Sequence, residues 1–213
     1  MTKRLEIIFD NLPTCKVFAD VGCDHGYIAK AMIENGKCQK FIVADISKSC
    51  LNKAENLLKD YINSGVGQSV VSNGFEKVSE CDLALIAGMG GEEIIGIINR
   101  AKSLPQTLVL QPMKNVDKVR ELLVEKGYEI QKDFVFFASG KFYDLIVASV
   151  GKDHLTQDEI YFGRTNLIEK GKAFRDRNLL LVKKLQGYLQ KQDLSCQSRQ
   201  KILLDLEKLS KYV

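Results

Sequence analysis

Short apolar runs and helical patterns alternate along most of this chain. Runs at 16–20, 40–45, 68–72, 82–87 and 107–111 have the length and composition of buried strands. Between them, apolar residues recur at helical spacing over 26–36, 47–64, 91–103 and 115–127. Residues 3–12 read as a short amphipathic helix with Leu5, Ile8, Phe9 and Leu12 on one face. Ser47 is placed as an N-cap, and Gly36, Gly65 and Gly127 sit where helices should stop. Strands alternating with helices predict an α/β fold with a mostly parallel sheet.

The pattern changes after Gly127. Two β-rich runs, 129–138 and 141–149, flank Ser139-Gly140 and predict an antiparallel hairpin in place of another strand-helix-strand unit. Seven strands ending in such a hairpin are the layout of class I S-adenosylmethionine-dependent methyltransferases, a Rossmann-like sheet. From about residue 156 the chain reads as wholly helical. Ile160, Leu167, Phe174, Leu181 and Tyr188 recur every seven residues; Ile202, Leu206, Leu209 and Val213 follow a polar break from Gln192 to Ser195. Two long helices sharing one apolar seam predict a coiled-coil-like helical hairpin. Gly163, Gly171 and Gly187 weaken that helix pattern by ~1 kcal/mol each relative to alanine. The expected division is a catalytic domain over 1–151 and a helical domain over 152–213.

Composition narrows the class. The 213 residues are 45% hydrophobic and 27% charged, enough apolar content for a sizeable core. No apolar run reaches the ~18 residues of a membrane span, and the N-terminal apolar stretch is too short and interrupted for a signal peptide. A cytoplasmic protein without membrane contact, monomeric, is expected. Six cysteines show no CxxC spacing and no metal-like pairing with the two histidines, so reduced thiols and no metal are expected. The net charge of +4 is uneven. Residues 151–213 hold 13 Lys/Arg against 8 Asp/Glu, while residues 1–150 hold 18 against 19. That excess fits a polyanionic partner or a solvated helix surface.

The first candidate site is Asp20-Val21-Gly22-Cys23-Asp24-His25-Gly26, between a strand and a helix pattern. The next strand ends in Asp45. A strand, glycine-bearing turn, helix and acid-tipped strand form a nucleotide half-site, with Asp45 placed for ribose hydroxyls or as a helix cap. Asp20 suits a ligand carrying a cationic amino-acid group. Two carboxylates, Asp20 and Asp24, would repel a pyrophosphate, which favours S-adenosylmethionine over a nicotinamide dinucleotide. Asn73-Gly74 is either an adenine-facing loop or an ordinary turn. The fourth strand runs into Gly88-Met89-Gly90-Gly91, where amino-adenine methyltransferases carry an Asn-Pro-Pro-aromatic tetrad. Its absence argues against exocyclic amine chemistry, and the glycines leave room for a planar base. Gln111 ends the fifth strand on the same edge, as a contact to a base edge or a plain strand terminus. His25 either orders the aspartates or caps a helix; Tyr27 either stacks on a ligand or packs; Cys23 serves as a small side chain.

Together these residues resemble the TrmK family of bacterial tRNA (adenine(22)-N1)-methyltransferases. The resemblance rests on 20–27, Ala44-Asp45, Gly88-Met89-Gly90-Gly91, Gln111-Pro112 and the terminal helices. Ala29 and Met113 depart from that family's usual proline and asparagine. The resemblance implies a cofactor site of Asp20, Gly22, Cys23, His25, Gly26, Asp45, Ile46, Asn73, Gly74, Ala87, Gly88, Met89 and Gly90. It implies Asp24, Tyr27 and Gln111 at the reacting base, and transfer to N1 of adenine, whose free lone pair needs no general base. Position 22 comes from the resemblance alone. Arg164, Lys170, Lys172, Arg175, Arg177, Lys183 and Lys184 are the candidate phosphate contacts. The rival readings are a methyltransferase with a small-molecule or protein acceptor, a non-catalytic RNA-binding protein of this fold and, more distantly, a nicotinamide oxidoreductase.

Overall fold

The computed structural model describes residues 1–190 and 195–212. Its centre is a seven-stranded sheet in the order β3-β2-β1-β4-β5-β7-β6. The strands are β1 (Val17–Val21), β2 (Lys40–Asp45), β3 (Gly67–Val71), β4 (Leu83–Met89), β5 (Thr107–Pro112), β6 (Tyr128–Ala138) and β7 (Lys141–Val150). β1 to β5 are parallel; β7 runs antiparallel to β5 and to β6. Ser139 and Gly140 both have positive φ, as the tight turn between β6 and β7 demands.

Strand alternation splits the core into two layers. Phe18, Phe41, Val43, Leu85 and Val109 face a layer with α1 (Lys3–Asp10), α2 (Tyr27–Glu34) and α3 (Lys48–Leu57). Ala19, Val21, Ile42, Ile86 and Leu110 face the other, with α5 (Gly91–Arg100) and α6 (Val116–Glu125). A sheet buried on both faces explains why its strands read as nearly continuous apolar runs. Ser47 caps α3 by accepting from the Cys50 N–H, and Gly36, Gly65 and Gly127 all take positive φ just beyond helix ends.

Two expectations need correction. The pattern over 47–64 is not one helix: it breaks at Leu58 into α3 and α4 (Lys59–Asn63). Leu58 is fully buried beside Gly26, and the chain bends around that anchor. Among the described residues the C-terminal region holds not two long helices but four: α7 (Gln157–Phe162), α8 (Arg164–Glu169), α9 (Lys172–Leu189) and α10 (Cys196–Ser210). A capping box between Thr156 and Glu159 starts α7; Gly163 at φ 89° ends it; left-handed Lys170 ends α8. These breaks reset the helical phase between Ile160, Leu167 and Phe174, and within the unbroken α9 a seven-residue count drifts by about 20° per step away from the docked face. Phe174 is buried, but Leu181 and Tyr188 are exposed. The seam is instead Phe162, Phe174 and Leu209, with Val182, Leu185 and Tyr212 packed around it. Of the polar break, Gln192, Asp193 and Leu194 lie outside the described residues, as does Val213 of the predicted seam.

The helical region docks on the terminal hairpin through Val135 and Phe142 and through a buried ionic joint. Arg120 of α6, 1% exposed, donates to Asp133 of β6 at 2.7 Å and to the carbonyls of Ile160 and Tyr161. Arg177 of α9 grips Asp144 of β7 with two contacts from one nitrogen, at 2.9 and 2.8 Å.

Candidate functional site

The chain runs from β1 outward to β2 and β3, then returns to the other side of β1 at β4. That reversal opens a crevice at the carboxyl ends of β1 and β4, where ligands of open α/β sheets bind. The crevice here is a cleft of about 750 Å³.

β1 delivers Asp20, and the turn after it carries Gly22 at φ 77° and Asp24 at φ 46°. Only glycine takes the first conformation without strain, and a Cβ there would fall 2.1 Å from Met89 Cε. Both the Gly22 and Cys23 N–H groups donate to the Ala44 carbonyl, tying the turn to β2. Asp20 is 5% exposed. Burial raises its pKa to about 7; the Ala29 N–H opposes this, and the Asp45 charge adds to it. A proline at position 29 would supply no such donor.

Asp45 stands at the tip of β2. One oxygen accepts from the Ser47 N–H at 2.8 Å and the other from the Asp24 N–H at 3.3 Å. Lone pairs remain on both oxygens for two hydroxyls. Asp24 pairs with His25 Nδ1 at 2.8 Å and with Lys53 at 3.4 Å. Partial desolvation works against ionisation of Asp24, but His25 and Lys53 outweigh it and hold its pKa below the usual value. The rings of His25 and Tyr27 are stacked at 5.3 Å, and Tyr27 is half exposed at the mouth. Burial pushes the Cys23 thiol well up, so it is a neutral small side chain.

Asp20, Gly22, Cys23, Asp24, His25, Tyr27, Asp45, Ile46, Asn73, Gly74, Ala87, Gly88 and Met89 all line this one cleft. Three predicted site residues do not. Gly26 caps α2 at φ 72° and lets it approach Ala54 of α3 and Leu58 at the end of that helix. Gly90 starts α5. Gln111 is fully buried: its oxygen accepts from Arg4 at 3.3 Å, and its nitrogen donates to the Pro112 carbonyl. A side chain so enclosed supports its neighbours and does not reach an incoming base. Among the predicted phosphate contacts, Arg164 is tied to Asp153 and Glu159, Arg177 to Asp144, and Lys172 to Asp176. Lys170, Arg175, Lys183 and Lys184 are exposed. The sequence reading missed Arg4, Ser139, Tyr143 and Arg100, which also line the cleft. Arg4 lies in a helix outside every glycine motif, and Tyr143 reads as an ordinary hairpin aromatic.

The cleft fits S-adenosylmethionine on three counts. A buried carboxyl awaits a cation, a carboxylate stands at a strand tip for a ribose, and Gly22 leaves a space that a side chain would fill. No group of three or more metal-ligating side chains suited to an ion occurs among the described residues.

Comparison with known proteins gives the same picture. A tRNA (adenine(22)-N(1))-methyltransferase of Bacillus subtilis is 28% identical over 200 residues, covering 89% of this chain and 82% of the relative. The crystal structure of the B. subtilis m1A22 tRNA methyltransferase TrmK superposes with TM-score 0.87 at 23% identity, covering 100% of this chain and 98% of that one. TrmK of M. capricolum, in complex with S-adenosyl-homocysteine, gives TM-score 0.90 at 22% identity, covering 100% and 97%. The family model described as "Methyltransferase domain" matches residues 1–146, from the first helix into the last strand. With that match over more than half its length, the chain belongs to the methyltransferase-domain family.

Proposed function

We propose that this protein transfers a methyl group from S-adenosylmethionine to N1 of adenine 22 in tRNA. The observation that carries the acceptor is the match to the B. subtilis tRNA (adenine(22)-N(1))-methyltransferase, which spans most of the sheet and the helices beyond it. The cofactor, when bound, supplies an electrophilic methyl group. Asp20 takes its cationic amino-acid end, Asp45 its ribose hydroxyls, and Asn73-Gly74 its adenine. Gly88 and Met89 border the space where the acceptor base enters.

N1 of adenine attacks through a free lone pair, so the protein needs no general base; its contribution is in-line positioning and exclusion of water. The base becomes cationic on methylation. We assign the stabilisation of that charge to Asp24, whose pKa His25 and Lys53 hold down. N1 lies on the Watson–Crick edge, so the base must leave its stack, at a cost of about a few kcal/mol. Phosphate contacts elsewhere offset that cost. We assign them to the helical region over 152–213, chiefly to Lys170, Arg175, Lys183 and Lys184. No helix among the described residues is long and apolar enough to cross a membrane; a cytoplasmic monomer acting on tRNA is part of this reading.

The test is incubation with labelled S-adenosylmethionine and unmodified bacterial tRNA, followed by digestion. 1-Methyladenosine, mapped to position 22, is the expected product. Cofactor binding without transfer to any tRNA would overturn the acceptor and point to a small molecule or protein.

A further inference from the structure

The cleft is also lined by residues to which the cofactor reading gives no role. β5 and β7 pair only as far as Leu110 and Ile146, while β6 and β7 stay paired from Phe134 and Leu145 to Ala138 and Lys141. The hairpin tip therefore projects beyond the carboxyl edge of β5 and brings Ser139 and Tyr143 to the cleft. Arg4 reaches the same place from the first turn of α1. Its guanidinium carbon lies 5.7 Å from the Tyr143 ring centroid, and that ring stacks on Phe136 at 5.4 Å. Gln111 accepts from Nη1, which lies 3.4 Å from where a Cβ on Gly88 would stand.

These contacts hold the guanidinium in place and leave its charge unmatched. Among the described residues no carboxylate lies within ion-pair distance of Arg4. The other basic side chains lining the cleft have acidic partners: Arg100 pairs with Glu76 and His25 with Asp24. A preorganised guanidinium with spare donors beside Gly88 is built for an anion, and a forked donor matches phosphate oxygens. We infer that Arg4 binds a phosphate of the nucleotide whose base is methylated and so seats that base against Gly88 and Met89. This rests on the nucleic-acid reading above.

The experiment compares the parent protein with R4Q and R4K, using unmodified tRNA. S-adenosylmethionine affinity is measured by calorimetry, and methyl transfer is followed against tRNA concentration and salt. Cofactor affinity should stay within about 2-fold in both variants, which also shows that they fold. R4Q should raise the KM for tRNA about 10- to 100-fold, the loss of one charge-assisted contact. Its slope of log affinity against log salt should shrink by roughly 0.7 to 0.9, the value for one phosphate. R4K, keeping the charge without the fork, should fall between. An unchanged KM and salt slope in R4Q overturns the assignment, as does a parallel loss of cofactor affinity in both variants. A parent protein that methylates no tRNA overturns the acceptor reading itself and this role with it.

Discussion

Asp20 is the residue on which cofactor binding should turn. Burial raises its carboxyl pKa to about 7, so without a cation beside it the group holds its proton below that pH. Because its folded pKa is raised, ionising it costs stability: its contribution is complete below the ordinary value of 3.8 and lost as pH rises through about 7. A cationic ligand reverses that preference. S-adenosylmethionine affinity should therefore tighten about tenfold per pH unit below about 7 and level off above it. Asp20→Asn should flatten this profile and weaken binding about 10- to 100-fold at pH 8, as calorimetry across pH would show. A wild-type profile as flat as the variant's would remove Asp20 from the ligand. Gly22→Ala tests the turn itself. The new Cβ meets Met89 and the backbone keeps φ 77°, a strain of roughly 1–2 kcal/mol for a non-glycine residue. Cofactor affinity should drop at least about tenfold, and the melting temperature should fall by about 2–8 °C.

At the scale of elements, the weak point is the joint between the sheet and the terminal helices. Gly163 ends α7 at φ 89°, and a Cβ there would lie 2.6 Å from Asp133 Oδ2 and 2.8 Å from Arg120 Nη2. Gly163→Ala should cost roughly 2–4 kcal/mol and lower the melting temperature by about 5–15 °C. Arg120→Met alone strands the fully buried Asp133 without its partner, at about 3–5 kcal/mol. Replacing both with apolar residues should recover most of that loss. Thermal unfolding of R120M and of the double replacement decides it. A double variant no more stable than R120M would show that the pair's geometry, and not its uncompensated charge, holds the joint. The orphaned Nη2 of Arg120 and Nε of Arg177 mark the places in this joint where hydrogen bonding is incomplete.

For the molecule as a whole, the basic excess over 151–213 divides into two populations. Arg164 and Arg177 neutralise buried or half-buried acids, whereas Lys183 and Lys184 on α9 are exposed and form no ion pair among the described residues. The double variant K183A/K184A should weaken tRNA affinity, reduce the salt slope by up to ~1.8, and leave the melting temperature unchanged. R177A should lower the melting temperature, because it removes both hydrogen bonds to Asp144 and leaves only Arg120 Nη2, at 3.8 Å, to pair with it in the joint. If filter binding finds no change in salt slope for K183A/K184A, the phosphate-binding face lies elsewhere.

The chain's local pattern was enough to predict the sheet, its strand count, the terminal hairpin and the cofactor turn. Those features depend on short-range physics: runs of β-branched residues, glycines where φ is positive, and an acid at a strand tip. The same residues carried most of the cleft, since Asp20 and Asp45 sit on adjacent parallel strands and must come together once β1 pairs with β2. Two kinds of feature required the folded molecule. A helical phase counted through Gly163 and Lys170 lost its meaning, because a break rotates every later side chain to a new face. Arg4, more than 130 positions from Ser139 and Tyr143, meets them only because α1 and the β6–β7 hairpin converge on the cleft. Gln111, at a strand end where ligands bind, was turned into support by burial beside Arg4. The sequence alone determined which groups could serve a cationic nucleoside; tertiary packing decided which of them face it, because local pattern does not encode how distant elements meet.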